Sequence, residues 1–416
     1  NDVRAEAILL GLIMGAVYYM YLLVNQFSIK NILLVSVFSA AAVMTKGVFV
    51  LIIVYSAIFL DLLVKKELSK IFQPKWILVG VFTFIFIFPE LYAVYQQFDL
   101  HPEKTVFGRQ NVSGLQFFIW DSQFGRFFNS GPIKGYGDKW FFLHTTLWAF
   151  APWAILSFLS LFQTTKKLFN KNKNQEYVTY FGFMVMFLIF SISKFQLSHY
   201  TNIIFPFIAI MVARYFVDSV RSKLVDGVIK YSILVYTILF IAVIVLIELV
   251  FKTDFPVLGW SILVLLIISS FLILKNSKQS ATYRYLTLGV CASLLFTFYF
   301  NISFYPSLLK YQSGSEMAFY LEKKYPNKLI KVTYNDWALQ YYSQNDLLFI
   351  KNQKQLLSHD FLFTDGDFLK ILKDSKQPFR ILKTMDNFHI TLLNKTFFDA
   401  KTRKEATTER YLVEIL

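Results

Sequence analysis

The chain has 416 residues, of which 56% are hydrophobic, 19% aromatic and only 17% charged, with a mean hydropathy of +0.47. Soluble domains run nearer ~45–50% apolar and ~25% charged, so this composition excludes an ordinary soluble globule. The net charge of +15 fits either a nucleic-acid binder or a membrane protein with basic loops, and the placement of the charges decides between them.

Ten apolar runs follow in chain order: 7–24, 32–44, 48–64, 76–95, 142–162, 178–191, 202–217, 231–250, 257–274 and 286–301. Several reach the ~20 residues that cross a ~30 Å hydrocarbon core. The runs at 32–44 and 178–191 are short, which suits helices shielded by their neighbours. Alternate loops differ sharply in charge. One set holds Lys30, the lysines at 65, 66, 70 and 75, those at 166, 167, 171 and 173, and the basic residues from Arg214 to Lys230 and from Lys275 to Arg284. The short segments of the other set hold only Arg4, Lys46, Lys194 and Lys252. The basic set is expected on the cytoplasmic side. The long loop at 96–141 and the C-terminal part then lie outside, and nucleic acid is not needed to explain the charge.

From about residue 303 the texture changes. Residues 314–324 read as an amphipathic helix. Strands are expected at 328–334, 346–350, 361–364, 380–384, 389–393 and 411–416, with a helix at 368–376. The expected architecture is mostly α: a polytopic helical membrane domain over 1–302, then a small extracytoplasmic α/β domain over 303–416. No Gly-rich phosphate loop occurs in that domain. The single cysteine, Cys291, excludes an intrachain disulfide and a cysteine metal cage. The five histidines are scattered, against a protein-built zinc site. No cofactor is called for, and a divalent ion is left open.

Polar residues at membrane depth are costly, which makes them functional candidates. Here they gather on the outer side: Asp2, Arg4 and Glu6 before the first run; Thr45, Lys46 and Gly47 between two runs; Glu90 near the end of its run; Asp121 and Arg126 in the long loop; Ser193 and Lys194, then His199 and Tyr200, in the next outer turn. Each has a plainer reading. Lys46 can snorkel to an interface, Asp121 and Arg126 can form a structural ion pair, and His199 and Tyr200 can be interfacial anchors. Cations with a few carboxylates at an outer leaflet suit a lipid-linked phosphate: the cations hold the phosphate and a carboxylate accepts a proton from an acceptor hydroxyl. The same constellation could serve a transporter.

Four segments carry a resemblance. NDVRAEAILLGL at 1–12, LVSVFSAAAVMTKGVFVLII at 34–53, FFIWDSQFGRFFNSG at 117–131 with WFFLHTTLWAFAPWAIL at 140–156, and LIFSISKFQLSHYTNIIFPFIAIMVA at 188–213 occur in the order of motifs in the GT-C glycosyltransferases. They look like the group containing protein O-mannosyltransferases and the aminoarabinose transferase of lipid A. The resemblance implies inverting transfer of a sugar from a polyprenyl-phosphate donor to a lipid, glycan or protein acceptor at the outer face of a bacterial plasma membrane. It implies phosphate contact by Arg126, with Lys46 and Lys194 as further substrate-binding lysines, and places Arg4, Asp121, His199 and Tyr200 among the binding residues. Glu6 stands where members often carry Asp, as a supporting acid. The aminoarabinose-transferase-like members have thirteen spans, so the chain reads as truncated at its N-terminus, with the principal catalytic acid upstream. The motif usually reading KLPHY is QLSHY here, which puts a direct role for this turn in doubt. The alternatives are a flippase of lipid-linked glycans or an inactive scaffold.

Overall fold

The computed structural model describes residues 5–218, 223–276 and 278–416; Asp2 and Arg4 lie outside the described residues. The chain divides into two compact units, 1–233 and 234–416. Among the described residues, six helical stretches are long and apolar enough to cross a membrane: Ala5–Asn25, Ile29–Lys46, Leu68–Asp99, Val225–Phe251, Pro256–Lys275 and Ala281–Leu309. Val178–Ile192 and Phe205–Val217 are shorter apolar helices. The protein is thus a polytopic helical membrane protein with a small C-terminal sheet.

In the first unit the helices are α1 (Ala5–Asn25), α2 (Ile29–Lys46), α3 (Val50–Lys65), α4 (Lys75–Val94), α5 (Phe141–Ala149), α6 (Ala154–Phe169), α7 (Val178–Ile192) and α8 (Phe205–Asp218). Their core is aliphatic and aromatic, with Leu9, Ile13, Val35, Ile53, Met186 and Phe207 fully buried. Several of the polar groups among them bond to backbone partners, as a hydrocarbon surrounding favours. Ser36 donates to Val79 O at 3.0 Å, joining α2 to α4. Lys75 donates to Val24 O at 3.0 Å, a cation on the last carbonyls of α1. Asp61 accepts from Tyr177 N at 2.9 Å at the start of α7. Gly182 lets α7 approach α8, because a Cβ there would lie 2.5 Å from the Phe207 ring.

One expectation fails here. The run at 142–162 is not a single span but α5 and α6, broken at residues 150–153. Pro152 lacks the N–H that would continue the ladder, and its ring crowds the preceding turn.

The second unit continues from α9 (Lys223–Leu246), which begins before residue 234, through α10 (Pro256–Lys275) and α11 (Ala281–Tyr299). Glu248 is buried just beyond α9. The Thr253 hydroxyl donates to it at 2.9 Å and the Tyr299 hydroxyl at 2.8 Å. There follow α12 (Ser313–Lys324), β1 (Ile330–Val332), α13 (Trp337–Tyr342), β2 (Leu347–Phe349), β3 (Phe361–Asp365), α14 (Gly366–Asp374), β4 (Phe379–Asn387) and β5 (Thr408–Ile415). The sheet order is β2-β1-β3-β5-β4, parallel among β1, β2 and β3 and antiparallel at β5. Alternation sorts its faces. Ile330, Val332, Phe361 and Phe363 pack with Met317 and Leu321 of α12 and Leu339 of α13, whereas Leu362, Val413 and Ile415 pack with Leu369 and Leu372 of α14.

Residues 389–393 are a turn rather than the expected strand. Phe388 leads the chain off the sheet: its N–H donates to Tyr311 O at 2.8 Å and its ring lies flat on Phe397, 3.7 Å between centroids. Arg403 ties this corner to the helix end at 247–251. It donates to Tyr311 Oη at 3.1 Å, Phe397 O at 3.1 Å and Phe251 O, with its guanidinium 4.0 Å from the Phe251 ring. Arg403→Ala is expected to cost about 2–4 kcal/mol, because charge-assisted hydrogen bonds contribute roughly 1.5–3 kcal/mol each and partly compensate on loss. Arg403→Lys should rescue little, since an ammonium cannot reproduce the planar fork. Thermal unfolding in detergent measures both; a wild-type melting temperature for Arg403→Ala would refute the tie.

Candidate functional site

α1 begins and α2 ends at the same end of the first unit. Glu6 lies in the first turn of α1, where a carboxylate complements the helix dipole, and Lys46 in the last turn of α2, where a cation does. The two side chains meet: Lys46 Nζ donates to Glu6 Oε1. Glu6 is only 2% exposed, and His199 Nε2 lies 3.5 Å from the same carboxylate oxygen. Lys46 Nζ also stands 4.7 Å from the centre of the Tyr200 ring, which packs on Phe190. Four residues expected from sequence, Glu6, Lys46, His199 and Tyr200, therefore form one cluster.

The backbone beside this cluster is specialised. Gly47 ends α2 with φ +97°, a conformation that side chains disfavour, and a Cβ there would fall 2.2 Å from the Gln123 amide. The close contact brings the long loop onto the α2–α3 turn. That loop carries a helical stretch at 114–128, started by Ser113, whose side chain accepts from Gln116 N at 3.2 Å. Its middle, 117–125, is wound as a π-helix, a form frequent at functional sites.

Between these elements opens a cavity of about 490 Å³, within the roughly 300–1,000 Å³ of small-molecule sites. Phe49, Phe118, Phe127 and Phe190 make much of its wall; Lys46, Glu90, Ser122, Gln123, Arg126 and Tyr200 supply polarity. Arg126 is the notable group. It makes no ion pair among the described residues, and its Nε is buried without a hydrogen-bond partner. Its guanidinium lies 5.6 Å from the Phe195 ring centre. An unpaired buried donor costs ~1–3 kcal/mol, and more when charged, so such a group calls for an acceptor.

Other expected residues lie elsewhere. The plain ion pair between Asp121 and Arg126 is not formed; Asp121 lines a separate, smaller cavity. The Lys194 side chain is exposed and does not line the large cavity, while its backbone N–H donates to Phe127 O at 3.1 Å. Glu6 does not line the cavity either: its carboxylate orients Lys46. Arg4 lies outside the described residues. Gln196, which stands in the departure from KLPHY, has a structural task. Its amide donates to Phe190 O at 3.2 Å and Ser191 O at 3.3 Å, capping α7, and its oxygen accepts from Asp138 N at 2.8 Å. Ser122 and Gln123 were not among the expected residues, though they lie between Asp121 and Arg126, four and three positions before Arg126, a helical spacing that faces the same way. Among the described residues no group of three or more His, Cys, Asp or Glu could hold a metal ion.

No protein-family model matches the chain, and no curated protein matches it. Two solved structures do. ArnT from Cupriavidus metallidurans bound to undecaprenyl phosphate is 14% identical with a TM-score of 0.66, the match covering 98% of this chain and 74% of that one. The apo form of the same ArnT is 13% identical with a TM-score of 0.63, covering 91% and 72%. At these identities the likeness is one of fold: the chain has a fold like that of ArnT.

Proposed function

We propose that the protein is a membrane glycosyltransferase that takes its sugar from a polyprenyl-phosphate donor and works at the outer face of the plasma membrane, with the C-terminal domain also outside. The observation that carries this reading is Arg126, which makes no ion pair among the described residues and whose Nε is buried without a hydrogen-bond partner, in an aromatic-walled cavity beside Lys46. The aromatic wall suits a prenyl chain, and the two cations suit a phosphate. The solved ArnT bound to undecaprenyl phosphate supports the same ligand class on the same fold.

In the reaction, an acceptor oxygen or nitrogen forms a bond to the anomeric carbon while the bond from that carbon to the phosphate oxygen breaks. The electron pair leaves with the phosphate. Arg126 would meet the growing negative charge with a planar, bidentate donor. Lys46, held in place by Glu6, would add a second positive charge. The proton leaving the acceptor needs a carboxylate within hydrogen-bond reach. Glu90 lines the cavity and is the available candidate among the described residues, whereas Glu6 is engaged by Lys46. Lys194, exposed outside the cavity, would act on the donor or on anionic lipids, and Arg4, outside the described residues, is proposed to bind the donor as well.

The test is transfer of radiolabelled sugar from a polyprenyl-phosphate donor to envelope lipid, glycan or protein fractions by the purified full-length protein. Labelled acceptor that appears only with the protein supports the reading. Failure of the protein to bind undecaprenyl phosphate would end it.

A further inference from the structure

A smaller cavity in the first unit lies wholly in the long loop, bounded by residues 106–121 and Pro132. Its volume is about 190 Å³, below the roughly 300–1,000 Å³ of drug-sized sites. It has room for one small ring compound and none for a lipid tail.

Its walls are unusual in three respects. First, Arg109 and Asp121 both line it, yet they pair neither with each other nor with another charged group among the described residues. The neighbouring carboxylate, Asp99, is by contrast consumed by the fold: it accepts from Ser113 Oγ at 2.6 Å and Gly114 N at 2.9 Å, fixing the start of the 114–128 stretch. Second, Phe107 and Phe117 stack with centroids 5.8 Å apart, and Phe107 is 58% exposed. Third, Phe107 sits at φ +49° with Gly108 at φ +73°, in a two-residue turn closed by Val106 and Arg109. A bulky residue held at positive φ is strained, and such strain gathers at binding and catalytic sites.

The geometry points to a subsite for a hexopyranose ring. One face of a pyranose presents C–H groups, whose slightly positive hydrogens suit the negative face of an aromatic ring. Its hydroxyls both donate and accept. Asp121 would accept hydrogen bonds from them and Arg109 would donate hydrogen bonds to their oxygens. A simple ion of either sign would meet one attracting and one repelling group here, so its charge gains it little.

Its position adds a consequence. Phe117 and Asp121, four residues apart, line this pocket, while Phe118, Ser122 and Arg126 on the next face line the large cavity. One helical stretch is the wall of both. Given the transferase reading above, on which this assignment of the ligand rests, the ring held here is a sugar of the acceptor.

Saturation-transfer difference NMR on the full chain in detergent, with methyl α-glucopyranoside and methyl α-mannopyranoside as probes, tests the subsite. Transfer to the ring protons of at least one glycoside is expected, falling at least fivefold in both Asp121→Asn and Phe107→Ala; the exposure of Phe107 keeps the second variant folded. Absence of transfer in the wild type, transfer that survives both substitutions, or displacement by inorganic phosphate would overturn it. The thermal shift given by undecaprenyl phosphate, measured on the same samples, separates the two readings. A retained shift with no glycoside signal removes the subsite alone, and a glycoside signal with no shift removes the donor reading and leaves the subsite.

Discussion

Arg126→Ala is expected to lower sugar transfer by about 10²–10³-fold, the usual effect of removing one charge-stabilising donor, or ~2.7–4 kcal/mol. It should leave the fold intact. Arg126 makes no ion pair to lose, and its Nε is a buried donor without a partner, so the free protein loses only a weak contact with the Phe195 ring. The melting temperature should therefore stay within about 2 °C, since surface-like losses are usually within ~0.5 kcal/mol and a kilocalorie moves a domain of this size by ~2–4 °C. Arg126→Lys should recover part of the rate, keeping the charge and losing the two-pronged geometry. Transfer kinetics and thermal unfolding on the same preparations decide. Activity within twofold of wild type would take Arg126 out of the mechanism, and a collapse of stability equal to the loss of rate would make it structural.

The contrast between fold and site shows what a sequence carries. The ten apolar runs can be read directly, because a helix in hydrocarbon must be apolar over its length, and each run contains helix in the structure. The C-terminal strands are legible from alternation. Only 389–393 misleads, because the apolar Phe388 before it turns away to stack on Phe397 rather than continuing the sheet. The break at Pro152 is encoded locally, yet hydropathy smooths over it. The site is less legible for a different reason. Glu6 and Lys46 are 40 positions apart, and Gln123 meets Gly47 across 76, so nothing local links them. A motif marks the residue types, but it does not say that Arg126 is unpaired, that Asp121 faces another cavity, or that Gln196 caps a helix. Those depend on which neighbours tertiary packing has already committed.

That commitment makes the Glu6–Lys46 pair the most sensitive contact of the site. Glu6→Gln should lower stability by about 2–4 kcal/mol, since removing one partner of a buried pair leaves a charge uncompensated, at a cost of ~3–5 kcal/mol for full burial. The estimate sits at the lower side because Lys46 retains 21% exposure. The lysine would then face His199 and the Tyr200 ring without its carboxylate. Lys46→Met alone should cost at least as much stability, because it leaves the more deeply buried Glu6 carboxylate without its lysine, and it should be harsher in transfer, because it removes a cation from the cavity. The double variant Glu6→Gln/Lys46→Met should be more stable than Glu6→Gln alone, with a coupling of ~0.5–3 kcal/mol, as residues in direct contact show. Donor binding separates the roles further. If Glu6 acts by holding Lys46, then once Lys46 is Met, changing Glu6 should cost no further affinity for undecaprenyl phosphate. A full additional loss in the double variant would mean that Glu6 meets the substrate itself, and strict additivity in stability would mean that the pair contributes nothing to the fold.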